Sequence, residues 1–369
     1  MSFTPDDYRY MARALQLAQR GLYTTHPNPR VGCVIVKEGQ IVGEGWHERA
    51  GEPHAEIHAL KQAGTLAQGA TVYVTLEPCN HYGRTPPCAL ALVEAKVGRV
   101  MAAMVDPNPL VAGQGLKRLE DEGISTASGL LEQEARALNQ GFLSRMERGR
   151  PLVRLKLASS MDGRTAMASG ESLWITGAAA RRDVQLWRAQ AGAVLTGIGT
   201  VLYDNPSLNV RLSAEELGIN GSIRQPIRVI LDSQLRIPLN ATLLSLEGKV
   251  LIYTLNNNQE KIAALAQLGV TVKVFETPSL DLKAVMTDLL NEGINEVHVE
   301  AGATLSGAFI QAQLVDELVL YMAPHLMGSD GLPLLQLPIH KMADRVPLLI
   351  KDTRMIGQDL RLIVTPHFS

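Results

Sequence analysis

The sequence predicts an α/β protein of two domains, and three observations lead to this fold class. The chain has 369 residues, which suits two domains of ordinary size. Apolar residues make up 46 % of the chain and charged residues 20 %, a composition typical of globular proteins with a substantial core. Segments rich in β-branched residues alternate with amphipathic segments, and this alternation indicates largely parallel sheets covered by helices.

The first half begins with a helix and a hairpin. Thr4 followed by Pro5 is typical of a helix start, although Asp7 stands where a full capping box would have Glu or Gln. This helix is expected to end at Gly21, and a hairpin is expected to turn at Glu38-Gly39. The other predicted elements of this half are strands at 31–36, 40–43, 71–76 and 100–105 and helices at 56–63, 88–96, 115–122 and 132–146.

The second half follows a short polar stretch with glycine and proline, residues 147–151. We place the domain boundary there, which gives domains 1–147 and 148–369. Residues 152–158 alternate as a strand with one polar face does. No G-x-G-x-x-G run follows that strand, so a Rossmann dinucleotide site is not indicated. Further strands are expected at 193–197, 227–231, 249–253, 271–275, 296–300 and 317–322, with helices between many of them.

Composition and charge exclude several classes of protein. A net charge of −2 argues against a general nucleic-acid binder, which normally shows a basic excess. The sequence contains no run of about 18 apolar residues, so no membrane span is expected. Its N-terminus is acidic, whereas a signal peptide begins with basic residues. Three cysteines do not suit a disulfide framework, so a cytoplasmic location is expected. We expect a small-molecule substrate and a homo-oligomer, although no oligomer seam is visible in the sequence.

The most informative residues are His54, Glu56, Cys79 and Cys88. Catalytic zinc sites hold three protein ligands, whereas structural sites are closed by four, and His54, Cys79 and Cys88 supply three. Their order matches the H-x-E…P-C-x-x-C signature of zinc deaminases, in which the glutamate carries protons and is not a ligand. Here eight residues separate the cysteines instead of two. Residues two apart on a regular helix face different sides, so His54 and Glu56 converge only at a helix start.

These residues also allow other interpretations. A lone H-x-E triplet is usually a surface feature, and two cysteines can simply be buried apolar residues; the combination favours a catalytic zinc. Cys33 could close the site as a fourth ligand, but its Val-rich strand favours a buried apolar role. Zinc lowers the pKa of a bound water to about 7. We expect Glu56 to take that proton and to deliver it to the leaving ammonia.

Three stretches of the first half closely resemble one known family. Residues 26–36, 50–56 and 75–88 resemble the bifunctional riboflavin-biosynthesis deaminase/reductases. The run Gly-Arg-Thr-Pro-Pro-Cys that ends at Cys88 distinguishes this family from tRNA-adenosine and cytidine deaminases. The resemblance is weakest over 212–224 and 254–285. It continues in the second half through residues 155–166, 170–176, 204–208 and 300–307.

The resemblance implies a fold, two reactions and two cofactors. The N-terminal domain would be a three-layer domain with the cytidine-deaminase-like fold, and the C-terminal domain would have the dihydrofolate-reductase-like fold. Zinc-dependent deamination would convert 2,5-diamino-6-(5-phosphoribosylamino)pyrimidin-4(3H)-one to 5-amino-6-(5-phosphoribosylamino)uracil. NADPH would then reduce the ribosyl group to ribityl. By the same resemblance, His54, Cys79 and Cys88 bind zinc and Glu56 carries the proton.

Substrate contacts in the first domain are also implied. Asn28, between two prolines, and His47 are plausible substrate contacts, and turn structure is the alternative for both. Arg84 is the candidate for the substrate phosphate, because a guanidinium group suits phosphate and the surrounding loop is otherwise uncharged. A solvated surface arginine is the alternative for Arg84.

The cofactor site of the second domain is expected at strand ends. Residues 301–304 form a small-residue turn that opens a helix, where backbone N–H groups and the helix dipole can face a phosphate. An ordinary turn is the alternative, and the resemblance favours the NADPH pyrophosphate. Residues 195–200 offer a second small-residue edge. The resemblance places near the cofactor Ala158, Trp174, Thr200, Asp204, Ser233, Gly302, Ala303, Thr304, Leu305, Ser306, Gly307 and Ala308.

The reductase substrate is expected beside the cofactor. Arg188 and Arg211 could hold its phosphate or be solvated charges, and Trp174 could be a core aromatic residue instead of a cofactor wall. The proton donor of the reduction stays open among Lys156, Asp204 and Glu300. The resemblance places near the substrate Ser172, Arg188, Leu208, Arg211 and Glu300.

Two competing functions remain for the whole chain. The first is a zinc deaminase of a nucleoside or of tRNA with an unrelated partner domain, which the acidic balance and the extended loop between the cysteines disfavour. The second is a non-catalytic zinc-stabilised binding module, which Glu56 beside an open zinc position disfavours.

Overall fold

The computed structural model describes residues 3–80, 86–109 and 111–368. The chain divides into two compact units. The first comprises Met1–Gly149 with Gly218–Gly221, and the second comprises Arg150–Leu217 with Ser222–Ser369.

The first unit is built around a mixed sheet. Its strands are β1 (Gly32–Lys37), β2 (Gln40–Trp46), β3 (Thr71–Val74), β4 (Arg99–Ala102) and β5 (Ser125–Ser128), in the order β2-β1-β3-β4-β5. Strand β1 is antiparallel to both β2 and β3, whereas β3, β4 and β5 are parallel. Its helices are α1 (Pro5–Gln19), α2 (Ala55–Ala63), α3 (Cys88–Glu94), α4 (Gln114–Asp121), α5 (Glu132–Leu138) and α6 (Gln140–Arg148).

Both faces of this sheet are covered, which makes a three-layer domain. Successive side chains of a strand point to opposite faces. Cys33 and Ile35 accordingly pack in the core beneath α2, α3 and α4, whereas Val34 and Val36 pack in the core with α1. Helix α2 lies so close to β2 at Gly45 that a Cβ atom there would lie 2.3 Å from the Ala55 carbonyl oxygen. This close approach fixes the start of α2 against the sheet.

Two expectations for the first unit differ from the structure. The helix expected at 132–146 is interrupted at Asn139, whose backbone leaves the helical region. The buried Asn139 side chain accepts a hydrogen bond from the Arg30 N–H and donates one to the Arg30 carbonyl, so a long-range pair replaces regular helix. Strand β5 was not predicted, because Ser125–Ser128 is a polar sequence at the edge of the sheet.

The second unit is built around a larger sheet in the order β11-β10-β9-β8-β12-β6-β13-β16-β15. Adjacent strands of this sheet are parallel except at the β13–β16–β15 end, where the pairing is antiparallel. The strands of this sheet are β6 (Leu152–Ser160), β8 (Ala193–Gly197), β9 (Ile227–Leu231), β10 (Val250–Thr254), β11 (Val270–Val274), β12 (Glu296–Glu300), β13 (Glu317–Ala323), β15 (Leu348–Ile356) and β16 (Asp359–Pro366). Strands β7 (Arg164–Ala166) and β14 (Leu332–Pro333) form a separate two-stranded sheet. The helices are α7 (Ala178–Gln190), α8 (Ile198–Asp204), α9 (Ala214–Leu217), α10 (Gln259–Gln267), α11 (Leu282–Asn291) and α12 (Ala303–Gln311).

The two faces of this sheet differ in polarity. One face carries the apolar side chains of β6 and β12, such as Val153 and Val299, which pack with residues of α11 and α12. On the other face, Arg154 and Lys156 of β6 lie opposite His298 and Glu300 of β12 in register. The hairpin β15–β16 was not predicted from the sequence, and β15 is largely exposed. Among the helices that the structure describes, none combines the length and apolar character that a bilayer crossing needs.

Candidate functional site

Three potential zinc ligands converge in the first unit. His54 is the N-cap of α2, Cys88 is the first residue of α3, and Cys79 lies beyond the end of β3. The Nδ1 atom of His54 lies 3.6 Å from the Cys79 Sγ and 3.3 Å from the Cys88 Sγ. In a tetrahedral zinc site with ordinary bond lengths, nitrogen and sulfur ligands lie about 3.6 Å apart. The two nitrogen–sulfur distances are thus close to those of a zinc site, and all three ligand atoms lie within 4.8 Å of one another.

The local backbone explains this convergence. His54 is extended, with φ −76° and ψ 167°, and the helix begins at the next residue. Glu56 is in the first turn of α2 and interacts with His54 and Cys88. The two residues converge because His54 lies outside the helix, at the helix start expected from the sequence. A hydrogen bond with Cys88 lowers the pKa of the Cys79 thiol, and His54 contributes in the same direction. A thiolate, the form that binds zinc, is thus favoured at Cys79.

Glu56 has the properties of a proton carrier. Its side chain is buried, and its Oε2 atom has no hydrogen-bond partner among the described residues. Burial raises the pKa of Glu56 to about 7, although His54 opposes the shift. Cys33 lies in the core beneath α2, and the cluster of potential ligands found in the described parts of the chain consists of His54, Cys79 and Cys88.

Asn28 and His47 lie together beside this cluster. The Asn28 Nδ2 is 3.0 Å from the His47 Nε2, and the His47 Nδ1 is 3.2 Å from the Pro53 carbonyl oxygen. These partners place the ring proton on Nδ1, and burial lowers the pKa of His47, which keeps the ring neutral. The rings of His47 and His54 meet edge to face with centroids 5.4 Å apart. Arg84, predicted to bind the substrate phosphate, lies outside the described residues.

Charged side chains form a second cluster on the polar face of the larger sheet. The guanidinium group of Arg188, on α7, binds both carboxylate oxygens of Glu300 at 2.5 and 2.9 Å. Its NH1 donates to the Asn209 carbonyl oxygen, so the interactions of Arg188 are with the protein. Arg211 is exposed, and no partner of its guanidinium group is found among the described residues. The geometry thus leaves Arg211 as the better placed of the two for a phosphate.

The pKa values of the titratable residues around Glu300 are shifted in different directions. Burial opposes ionisation of Glu300, yet the Arg188 guanidinium holds the pKa of that carboxyl well below its usual range. Burial lowers the pKa of Lys156, which lies opposite Glu300, and burial raises the pKa of Asp204. His298, which sequence reasoning did not single out, is fully buried with its Nε2 3.6 Å from Glu300.

The expected cofactor residues occupy neighbouring strand ends. Gly302 is the N-cap of α12, which follows β12 directly, and the Leu305 side chain packs close to Gly197 at the end of β8. The small-residue edges at 301–304 and 195–200 are therefore adjacent. Within the run expected to contact the cofactor, Ser306 and Gly307 are buried in packing, since a Cβ atom at Gly307 would lie 2.0 Å from the Gln336 carbonyl oxygen.

The remaining predicted residues are distributed around these edges. Trp174 is 69 % exposed and stacks with the guanidinium group of Arg181 at 4.4 Å, so it is not a core aromatic residue. Leu208 packs in an apolar cluster instead of being exposed. Ala158 is on β6, Thr200 and Asp204 are on α8, Ser233 is exposed after β9, and Ser172 is half-buried.

One residue near the first cluster was missed by sequence reasoning. Glu77, which precedes Cys79 by two residues, is 5 % exposed. Its carboxylate accepts hydrogen bonds from four backbone N–H groups. The signal was a carboxylate directly after a buried strand, where an apolar residue is expected.

Comparisons with known proteins cover nearly the whole chain. Residues 4–104 match the cytidine and deoxycytidylate deaminase zinc-binding region, and residues 151–362 match the RibD C-terminal domain. The chain is 53 % identical to the riboflavin biosynthesis protein RibD of Escherichia coli, covering 97 % of this chain and 98 % of the relative. It is 50 % identical to the protein of that name from Haemophilus influenzae, covering 99 % of each.

Solved structures agree with these relatives. Acinetobacter baumannii RibD superposes with a TM-score of 0.91 at 50 % identity, covering 98 % of this chain and 99 % of that chain. A diaminohydroxyphosphoribosylaminopyrimidine deaminase/5-amino-6-(5-phosphoribosylamino)uracil reductase from Thermotoga maritima superposes with a TM-score of 0.88 at 31 % identity and the same coverage. The chain therefore belongs to the RibD family of riboflavin-biosynthesis proteins.

Proposed function

We propose that the first unit deaminates the diaminopyrimidinone and the second unit reduces the ribosyl group of the product, with zinc and NADPH as cofactors. The observation that carries the proposal is the convergence of His54 Nδ1, Cys79 Sγ and Cys88 Sγ beside Glu56, whose Oε2 has no hydrogen-bond partner in the part of the chain that the structure describes. Full-length similarity to the RibD proteins favours this function over a nucleoside or tRNA deaminase and over a non-catalytic binding module.

In the deaminase site, His54, Cys79 and Cys88 would hold the zinc, which when bound acidifies a water molecule and so supplies the nucleophile. Glu56 accepts a proton at Oε2 and passes it to the departing amine, because a pKa near 7 allows both steps at neutral pH. His47 orients the Asn28 amide by accepting from its Nδ2, which leaves the Asn28 Oδ1 to accept a hydrogen bond from the substrate. Arg84 is proposed as the phosphate contact.

In the reductase site, NADPH supplies a hydride when bound. The Gly302 turn and the first turn of α12 would face its pyrophosphate, because the first N–H groups of a helix lack intrahelical partners. The other proposed cofactor contacts are Ala158, Trp174, Thr200, Asp204 and Ser233. Proposed substrate contacts are Ser172, Arg211 and Glu300, with Arg188 fixing Glu300 through its two-point pairing. Leu208 is proposed to contribute through its backbone, because its side chain packs in the core.

Lys156 is proposed as the proton donor of the reduction. Glu300 is held ionised by Arg188 and has no proton to give at neutral pH. Lys156 is adjacent on β6, and its pKa is lowered by burial. A lowered pKa makes an ammonium group a better acid. Asp204 interacts electrostatically with Lys156 and is proposed as a contact of the donor, since Lys156 is the candidate paired in register with Glu300.

We also propose a cytoplasmic homo-oligomer without nucleic-acid or membrane partners. The net charge of −2 supports the lack of a nucleic-acid partner. The edge strand β15 supports oligomerisation, because its side chains Leu348, Leu349, Ile350 and Met355 are each more than half exposed. Apolar side chains on a sheet edge are commonly covered by another chain.

A direct experiment tests the two activities. The purified chain is incubated with the diamino substrate and NADPH, and products are followed by mass spectrometry. The proposal predicts first a product with oxygen in place of an amine, and then a product with two additional hydrogens. Deamination of cytidine or tRNA, with no reaction of the pyrimidinone, would contradict it.

A further inference from the structure

Glu77 carries no role in the reactions described above, yet it makes an unusual set of contacts. Its Oε2 accepts from the backbone N–H groups of Asp106 at 3.0 Å and Gly113 at 2.9 Å. Its Oε1 accepts from those of Gly115 at 2.8 Å and Leu116 at 3.2 Å. We call this set, the Glu77 carboxylate with those four N–H groups, the Glu77 anchor.

The anchor uses the full capacity of the carboxylate. Two carboxylate oxygens accept about four hydrogen bonds in total, and the four N–H groups supply them. The side chain is 5 % exposed, so water does not compete with these bonds. Two of the donors belong to the first turn of α4, where the helix dipole also favours a negative charge. Glu77 is therefore neither a free base nor a zinc ligand. Its contacts connect the backbone segments around it.

The location of the anchor connects it to the metal cluster. Glu77 precedes Cys79 by two residues, and Pro78 between them restricts the backbone. Gly115 contacts the other side of this turn so closely that a Cβ atom there would lie 1.9 Å from the Pro78 carbonyl oxygen. The carbonyl oxygen of Cys79 accepts from the Ala89 N–H, and its Sγ accepts from the Cys88 N–H. The start of α3 thus holds Cys79 on one side. On the other side, the anchor ties the preceding turn to the start of α4.

We propose that Glu77 is a positioning residue that fixes the Sγ of Cys79 for zinc. Without the anchor, the Pro78–Cys79 turn loses its four hydrogen bonds to the Asp106 and α4 backbone. The Glu77 N–H bond to the Met104 carbonyl and the bonds to the start of α3 remain, but they leave the α4 side of the turn less firmly fixed. Partners that orient metal ligands typically affect metal affinity by about 10–100-fold. The inference rests on the proposed deaminase function and adds a requirement that the three ligands alone do not state.

The test variant is Glu77→Gln, which keeps the shape of the side chain. The amide group places a donor against two N–H groups, so half of the anchor is lost. Zinc release to a chromogenic chelator should be at least about tenfold faster than in the wild type. The absorption bands of the cobalt(II)-substituted protein should shift, since these bands report the geometry of the ligands. Deaminase activity should fall with metal content.

The chain offers controls for folding and for charge. Reductase activity, measured on the already deaminated substrate, should remain within about twofold of wild type, because the second unit has its own core. Glu122→Gln removes an exposed carboxylate at the end of α4 and should leave zinc release and the cobalt spectrum unchanged. Gly115→Ala perturbs the same turn from the α4 side and should reproduce the effects of Glu77→Gln.

Each outcome decides the inference. Wild-type zinc release and an unchanged cobalt spectrum in Glu77→Gln would overturn it, whatever Gly115→Ala does, because Gly115→Ala also displaces the Pro78 backbone directly. Loss of reductase activity in both variants would also overturn it, because the role would then be general stability. A wild-type protein that binds no zinc would contradict the proposed deaminase function itself, whereas retention by wild type and variants alike contradicts only the role of Glu77.

Discussion

At the scale of the single residue, Glu56 combines burial with a carboxylate oxygen that no described residue pairs with. Burial raises its pKa to about 7, so the group can both accept and release a proton near neutrality. Glu56→Gln preserves the shape but removes this ability. We expect deaminase kcat to fall by roughly 10²–10⁴-fold while the protein retains its zinc and its reductase activity. Metal analysis with separate assays of both steps checks this, and full deamination by the variant would contradict the proton-carrier role.

Lys156 is the corresponding residue of the reductase site. Lys156→Met keeps most of the side-chain volume and removes the proton. We expect reductase kcat to fall by roughly 10²–10⁴-fold, with deamination unchanged. Lys283→Met, at an exposed position of α11, is the matched control and should behave as wild type. Equal reductase rates in the two variants would rule out Lys156 as the donor.

At the scale of the element, α1 shows how a local sequence signal joins a long-range contact. The Asp7 side chain accepts from the Thr4 N–H, while the Thr4 side chain accepts from the Asp7 N–H, so aspartate completes the capping box. Asp7 is also buried against β3, where it accepts a hydrogen bond from the Tyr73 hydroxyl at 2.7 Å. The sequence indicated the cap, but nothing in it showed the contact with Tyr73.

Asp7 should make the stability of the first unit depend on pH. Burial alone would raise its pKa, but hydrogen bonds from Thr4 and Tyr73 outweigh burial and lower it. Asp7→Asn should cost about 2 kcal/mol of unfolding free energy at neutral pH. Because the folded pKa is depressed, this contribution is complete above the unfolded pKa of about 3.9 and is lost as the pH falls through the folded value.

Denaturant unfolding of wild type and Asp7→Asn at several pH values measures this difference. Asp6→Asn, at an exposed neighbouring position, should differ little from wild type. A gap between wild type and Asp7→Asn that stays constant into strong acid would show that the carboxylate charge does not matter.

The elements that sequence reasoning missed share a physical cause. Strand β5 is polar and β15 is exposed, so neither carries the buried apolar pattern on which strand prediction depends. The helix break at Asn139 comes from a pair with Arg30, more than 100 residues away. Elements with buried β-branched cores, such as β1 and β12, were predicted closely because burial and propensity agree there.

At the scale of the whole molecule, the residue types of the sites could be predicted from the sequence, whereas the contacts around them could not. The zinc cluster was recognisable because its residue types and order are characteristic of the chemistry. The pairing of Arg188 with Glu300, the polar sheet face and the four donors to Glu77 depend on strand register and loop packing. Such long-range geometry has no local sequence pattern.

The exposed strand β15 leads to a prediction about assembly. Leu349→Asp places a charge among the exposed apolar side chains of this edge. If β15 joins two copies, the charge should weaken association by roughly a hundredfold or more, equivalent to about 3 kcal/mol. Sedimentation over a range of concentrations checks this, with Leu268→Asp, at an exposed leucine after α10, as control. An unchanged assembly in Leu349→Asp would exclude β15 as the interface.

The most direct test of the two-site function is NADPH oxidation measured with and without a zinc chelator on two substrates. Starting from the diamino substrate, chelation should abolish NADPH oxidation, because the reductase receives no deaminated product. Starting from the deaminated substrate, oxidation should continue at the untreated rate, since Lys156 and Glu300 do not depend on zinc. Oxidation from the diamino substrate that survives complete zinc removal would contradict the account.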